Sequence, residues 1–175
     1  MDEQRSSDVD LLLEIGERIG STLELGAVLE IVLDEGRKLA GCDRADIRLL
    51  DPESGELVLV HRQGPMTELE PERVSAAEGI SARALREMRT QWVPDVQLDR
   101  DYQDLLRKYS EDTPYGKFLR SFRATVKVPL LGDTRAIGVF CAHSPTLNDF
   151  ATCDFRLLEG VMRWASWAIN NAKAH

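Results

Sequence analysis

Apolar positions recur along this chain with two distinct spacings, and the switches between them mark out its elements. From residue 8 to residue 20, Leu12, Ile15 and Ile19 fall at helical spacing, and Gly20-Ser21-Thr22 breaks the run. A stronger stripe follows from Leu25 to Ala40. Leu25, Val28, Leu29, Val32, Leu39 and Ala40 keep the rhythm of one buried helix face, and Gly41 suits a C-terminal cap. The period then changes to two. Ala45, Ile47 and Leu49 point one way, and Asp46, Arg48 and Leu50 the other. Asp51-Pro-Glu-Ser-Gly55 supplies a turn, and Leu57 to Arg62 returns as the second strand of a hairpin that ends at Gly64-Pro65.

Residues 66 to 78 are polar and predict a loop. Gly79-Ile80-Ser81 opens a helix through Met88 with Ser81 as its cap. Trp92-Val93 is a short strand stopped by Pro94-Asp95. The stretch 97–122 is long, charged and irregular, with a helical patch from Tyr102 to Tyr109. Strands over 122–131 and 135–143 meet across Gly132-Asp133, and a helix over 152–173 closes the chain. Hairpins at both ends of the series predict an α+β domain. Its central antiparallel sheet has five to six strands, with the terminal helices on one face. The middle segment then forms a helix-and-loop lid on the other face, enclosing a cavity where a ligand would sit.

Composition narrows the classes of function. A chain of 175 residues with 43% hydrophobic content forms one domain with a real core. No apolar run approaches the ~20 residues that span a bilayer, and Met1-Asp-Glu-Gln lacks signal-peptide character, so a cytoplasmic protein without membrane contact is expected. The net charge of −8 argues against nucleic-acid binding, which needs clustered Lys and Arg. Cys42, Cys141 and Cys153 are odd in number and widely spaced, which fits reduced thiols rather than disulfides or a zinc site. Every aromatic residue lies between Trp92 and Trp167, so an aromatic-lined pocket must draw on the second half.

Specific wording sits on this pattern: Arg123-Ala-Thr-Val-Lys-Val-Pro129-Leu130, Ile137-Gly-Val-Phe-Cys-Ala-His143-Ser144, Phe150-x-x-x-Asp154-x-x-Leu-Leu-Glu159 and Ala168-Ile-Asn-Asn-Ala172. It resembles the C-terminal half of GAF domains, the small-molecule sensing and dimerising modules of signalling proteins. Leu25 to Leu39, Ile47-Arg-Leu-Leu-Asp51, Gly55-Glu-Leu57, Gly79-Ile80 and Pro94-Asp95-Val96 resemble earlier landmarks of the family in the right order. The resemblance implies a single GAF-type domain over 1–175, with N-terminal helices in 8–40, a lid in 97–122 and a C-terminal helix in 152–173. The PAS-like sheet-and-lid fold comes with it.

Four specialised chemistries of that family are disfavoured by the same comparison. The cyclic-nucleotide signature is reduced to Asn148, Phe150 and Asp154, with Phe155 in place of its glutamate. The lid holds no Cys or His for a bilin. Tyr115 and Phe118 stand where haem binders place a His, and the cysteines of sulfoxide-reducing members are missing near Ser81 and from the middle region.

Candidate residues follow from strand alternation and from the lid. Arg48, Arg123 and Lys127 are cations on strands that flank the cavity, and two of them reaching one cavity would suit an anionic ligand. Pairing with Asp46, Asp95 or a lid glutamate is the alternative. Trp92, Asp95, Tyr102, Tyr109, Tyr115 and Phe118 complete the predicted ligand contacts; the aromatics can stack on a ligand or form the lid's own small core. His61 and His143 are expected to be structural, with no metal site, no resident cofactor and no catalytic set, so no enzyme is expected. The last helix carries a second apolar face through Val161, Trp164 and Ala168. Together with Leu12, Ile15 and Ile19 it predicts a homodimer through the terminal helices, unless the first helix covers that face itself. An output domain outside this chain would complete such a sensor. An interaction-only module without ligand is the rival reading, and a small-molecule redox enzyme the third.

Overall fold

A period-two run becomes a strand only if both of its faces find cover, and here each face is covered by a different layer. The computed structural model describes residues 2–20, 24–65 and 67–174. Six strands form one antiparallel sheet in the order β3-β2-β1-β6-β5-β4: β1 Arg44–Asp51, β2 Glu56–Gln63, β3 Arg73–Ser75, β4 Gln91–Val93, β5 Ala124–Leu131 and β6 Ala136–Ser144. Three helices, α1 Asp2–Gly20, α2 Leu25–Ala40 and α6 Phe155–Ala174, cover one face. α3 Gly79–Glu87, α4 Arg100–Lys108 and α5 Pro114–Leu119 belong to the segment that covers the other.

The main core lies under the terminal helices. Ala45, Ile47 and Leu49 of β1, Val126 and Val128 of β5, and Phe140 and Ala142 of β6 face Val32 and Leu33 of α2 and Leu158, Met162 and Ile169 of α6. α2 packs closely here because Gly36 has no side chain; a Cβ there would stand 2.8 Å from Phe140. Gly41 ends α2 in the left-handed region at φ 68°, a conformation glycine adopts without strain.

Several sequence expectations need correction. α1 begins at Asp2 rather than residue 8, an exposed polar extension that apolar spacing could not reveal. Of the break expected at Gly20-Ser21-Thr22, Ser21 and Thr22 lie outside the described residues. The stretch 66–78 contains β3, which adds an edge to β2 through Glu56↔Ser75 and Val58↔Arg73; Met66 lies outside the described residues. α3 opens at Gly79, with Glu78 at its N-cap, so Ser81 is not the cap. The lid is more regular than its charge suggested. Asp99 accepts from Tyr102 N and caps α4, while Thr113 accepts from Gly116 N and caps α5, with Pro114 in its first turn.

The expected dimer face is also corrected. Ile15, Ile19, Val161 and Ala168 are buried within one chain, and Leu12 packs on Gly160. Trp164 lies against Gly16, where a Cβ would approach its ring to 2.9 Å. The second apolar face of α6 is therefore covered by α1. Val9, Leu13 and Trp167 are the large apolar side chains left exposed on these helices.

Candidate functional site

The same alternation that sends Ala45, Ile47 and Leu49 into the main core turns Arg44, Asp46 and Arg48 to the lid side. In register, Asp46 lies opposite Cys141 and Cys141 opposite Lys127; one step along, Arg44 lies opposite His143 and His143 opposite Thr125. A block of charged and polar side chains thus forms a floor beneath the lid. Arg44, Asp46, Arg48, Thr125, Lys127 and His143 are all buried. The roof combines the start of α3 with Tyr102, Tyr109, Tyr115 and Phe118. Between them is a cavity of about 50 Å³. At ~10–15 Å³ for each water, it has room for a few waters or one small ion.

The floor is a network around Asp46, with Arg44 and Lys127 outside its hydrogen bonds. The Asp46 carboxylate accepts from His143 Nε2 at 2.9 Å and lies 3.6 Å from Arg48 Nε. His143 Nδ1 is 3.3 Å from Thr125 Oγ1, which donates to the Ala142 carbonyl at 2.8 Å. Burial, then the charge of Lys127, push His143 down to about 4 against the pull of Asp46. It is therefore neutral at pH 7 and donates its Nε2 proton to Asp46. Burial works against an ionised Asp46, but the His143 hydrogen bond and charge, with Arg48 and Lys127, outweigh it and hold the carboxyl at about 2.

Arg48 donates through Nη2 to Pro71 O at 2.8 Å and lies 3.8 Å from the Glu70 carboxylate. Arg44 sits over the rings of Phe118 and Phe122, 5.2 and 5.7 Å from their centroids. Lys127 is only 8% exposed, yet makes no hydrogen bond or ion pair within the described residues. Burial, followed by the charge of Asp46, pushes Glu70 up to about 8, so it carries little charge at neutral pH. Of the charged side chains lining the cavity, Arg48 and Lys127 then stand against Asp46, with Arg44 behind the floor, while Glu78 at the cavity's edge is paired with Lys108. The enclosed field is positive and favours an anion.

Of the predicted ligand contacts, Arg48, Tyr102, Tyr109, Tyr115, Phe118 and Lys127 do line the cavity. Three do not. Trp92 pairs with Val126 and so falls on the helix side, where its ring lies 5.8 Å from Phe155 and Nε1 donates to Asp149 O. Arg123 and Asp95 pair with each other at 3.1 Å away from the cavity lining. Asp46 follows from the alternation that gave Arg48, and counting two residues further reaches Arg44. Glu70 had no such signal, because it lies in a polar stretch without periodicity. Tyr102 and Phe122 pack edge to face at 5.5 Å, and Tyr109 and Tyr115 at 4.7 Å, so the aromatic lid also has its own small core. Among the described residues no group of three or more His, Cys, Asp and Glu is placed to hold a metal ion.

A sheet with helices on one face and a lid over a polar floor can be compared with known proteins. The sequence model of the GAF domain matches residues 22–170. The chain belongs to the GAF domain family. GAF domains are sensor and regulatory modules of signalling proteins, and this chain has their curled six-stranded sheet. The GAF domain of a Coxiella burnetii phosphoenolpyruvate-protein phosphotransferase superposes with a TM-score of 0.77 at 16% identity, over 95% of each chain. The corresponding Acinetobacter domain gives 0.74 at 18% identity, over 96% of each. Free methionine-R-sulfoxide reductase from Neisseria meningitidis, solved with its substrate, gives 0.75 at 23% identity, over 95% of this chain and 90% of that one. No curated protein matches.

The last comparison corrects the expectation that the chain is not an enzyme. A protein with this GAF fold over nearly its whole length is a reductase, so the architecture does accommodate catalysis. No described helix is long and apolar enough to cross a membrane.

Proposed function

We propose that this GAF domain is a sensor whose lid cavity takes a small anion. The observation that carries the reading is Lys127: it is only 8% exposed, lines the cavity and makes no hydrogen bond or ion pair among the described residues, on a floor where Arg44 Nε and Nη2 also lack hydrogen-bond partners. An unpaired buried cation is unfavourable unless something completes it, and an anion entering from the cavity would do so. The lid also meets the helix layer. Thr90, in the turn after α3, donates to Glu159 of α6 at 2.7 Å, and Trp92 stacks near Phe155 at its start. A shift of α3 or β4 on binding would be felt at α6. Titration with acetate or inorganic phosphate, followed through backbone amide resonances, tests the reading. Shifts should centre on Asp46, Arg48 and Lys127. Shifts confined to the exposed surface, or none, would sink it.

For transmission, we infer that two copies associate through the outer surfaces of α1 and α6. Val9 and Leu13, one turn apart, are 54% and 56% exposed, and Trp167, 54% exposed, packs edge to face on Trp164. Trp167→Glu should convert dimer to monomer in sedimentation while changing stability by no more than about 0.5 kcal/mol. Trp164→Glu should instead undock α1 and lower the melting temperature. A wild-type protein that sediments as a monomer at high concentration would contradict the inference.

A further inference from the structure

A second cavity, of about 300 Å³, lies at the end of the sheet where β1 begins and β6 ends. Among the described residues it shares only His143 with the cavity beneath the lid. His143 has no proton to offer it, because Nε2 serves Asp46 and Nδ1 faces Thr125. Arg44 lines this cavity and not the other, and it is the one cation among the described residues around it.

Arg44 is 4% exposed and incompletely paired. Its Nη1 donates to Ser121 O, also on the lining, at 3.4 Å. Nε and Nη2 have no hydrogen-bond partner among the described residues. Burial works against the charge of Arg44, and Glu70 and Asp46 support it, yet neither acid forms an ion pair with it. The guanidinium lies over the rings of Phe118 and Phe122. Its two open N–H groups project from the same edge of its plane, the fork that takes both oxygens of a carboxylate side-on.

The rest of the lining has the reverse sign. Asp43 is exposed and Asp149 half-buried. Asp149 accepts from Ser144 Oγ at 2.6 Å and from Phe150 N at 3.0 Å, and each of its oxygens keeps a further acceptor direction. Gly41, on the same lining, caps the C-terminus of α2, the negative end of that helix's dipole. A plain anion entering here meets Arg44 only after passing groups that repel it.

We propose that this cavity is a second ligand site, for a small zwitterion of amino-acid type: its carboxylate lies side-on against Arg44, and its ammonium is held by Asp43, Asp149 and the end of α2. Such a ligand supplies the two acceptors that Arg44 lacks and turns the surrounding acids from repulsive to attractive. The site does not depend on the anion reading of the lid cavity.

Glycine and acetate carry the same carboxylate and differ in the ammonium. Titrating each, followed through backbone amide resonances and the Arg44 Nε–H resonance, tests the site. Glycine should move the Arg44 Nε–H signal and the amides of 42–44 and 143–149. At these positions it should bind about two- to fivefold more tightly than acetate, the worth of an exposed ion pair, and Asp43→Asn should narrow that margin. Arg44→Met, whose stem still covers Phe118 and Phe122, should weaken glycine at least roughly tenfold, while Lys127→Met leaves it within about twofold. Glycine binding lost with Lys127 rather than with Arg44 would overturn the second site and leave the anion sensor standing. Acetate bound through Arg44 as tightly as glycine would overturn the zwitterion. An Arg44 Nε–H signal that glycine leaves unmoved in wild type would overturn the site whether or not Arg44→Met folds.

Discussion

Asp46→Ala destabilises the domain by about 3–5 kcal/mol, the loss expected when one partner is removed from a buried charged network. Asp46 is 1% exposed and is the acceptor for His143 Nε2 as well as the nearest acid to Arg48 Nε. Its removal leaves an imidazole N–H without an acceptor and takes from Arg44, Arg48 and Lys127 the ionised carboxylate of the floor. Denaturant unfolding measures the effect as a lower midpoint with an unchanged slope. A loss below about 1 kcal/mol would show that the floor relaxes around water, and that the network does not fix the geometry of the site.

The acid limb of stability should change as well. His143 has a folded value of about 4 against its ordinary 6.5, so the stability it contributes by being buried neutral is complete above 6.5 and lost as pH falls toward 4. Asp46 is depressed from 3.8 to about 2, so its contribution is present above 3.8 and lost as pH falls toward 2. Asp46→Ala removes the second of these losses and keeps the first.

Lys127→Met should do two opposite things. It replaces a largely buried lysine without a hydrogen-bond or ion-pair partner among the described residues by an apolar side chain of similar length, so the ligand-free domain should gain about 1 kcal/mol. It also removes the charge that attracts the anion, so acetate or phosphate affinity should fall at least roughly tenfold. Thermal unfolding and calorimetry on the same samples read both. A variant that loses stability and keeps its anion affinity would mean that Lys127 is satisfied within the fold and that the ligand reading of the cavity is wrong.

The reach of the sequence differs between the two faces of the sheet for a physical reason. The helix side is an apolar core, and apolar spacing reveals it: α2 runs from Leu25 to Ala40 as its stripe predicts, and both hairpins stand where their turns put them. The lid side is built from charge, which has no such rhythm. Arg48 and Lys127 could be placed because they alternate with core residues on long strands. Trp92 could not, since β4 is three residues long and its register is set only by pairing with β5. Glu70 and β3 were invisible because the segment that carries them is held by Arg48 and a strand edge far away in sequence. The dimer face failed differently. Trp164 and Val161 do form a second apolar face, but the glycines that let α1 close over it, Gly16 and Gly160, register in sequence only as gaps in the pattern.

Anomalous scattering from crystals soaked in bromide shows whether the cavity beneath the lid takes an anion, because it locates a small monoanion without choosing a metabolite. A bromide peak is expected beneath the lid within hydrogen-bonding distance of Lys127 Nζ on its Arg48 side, absent from Lys127→Met crystals soaked in the same way. Bromide found only on the outer surface, with the Lys127 ammonium bonded to protein or to ordered water alone, would contradict it.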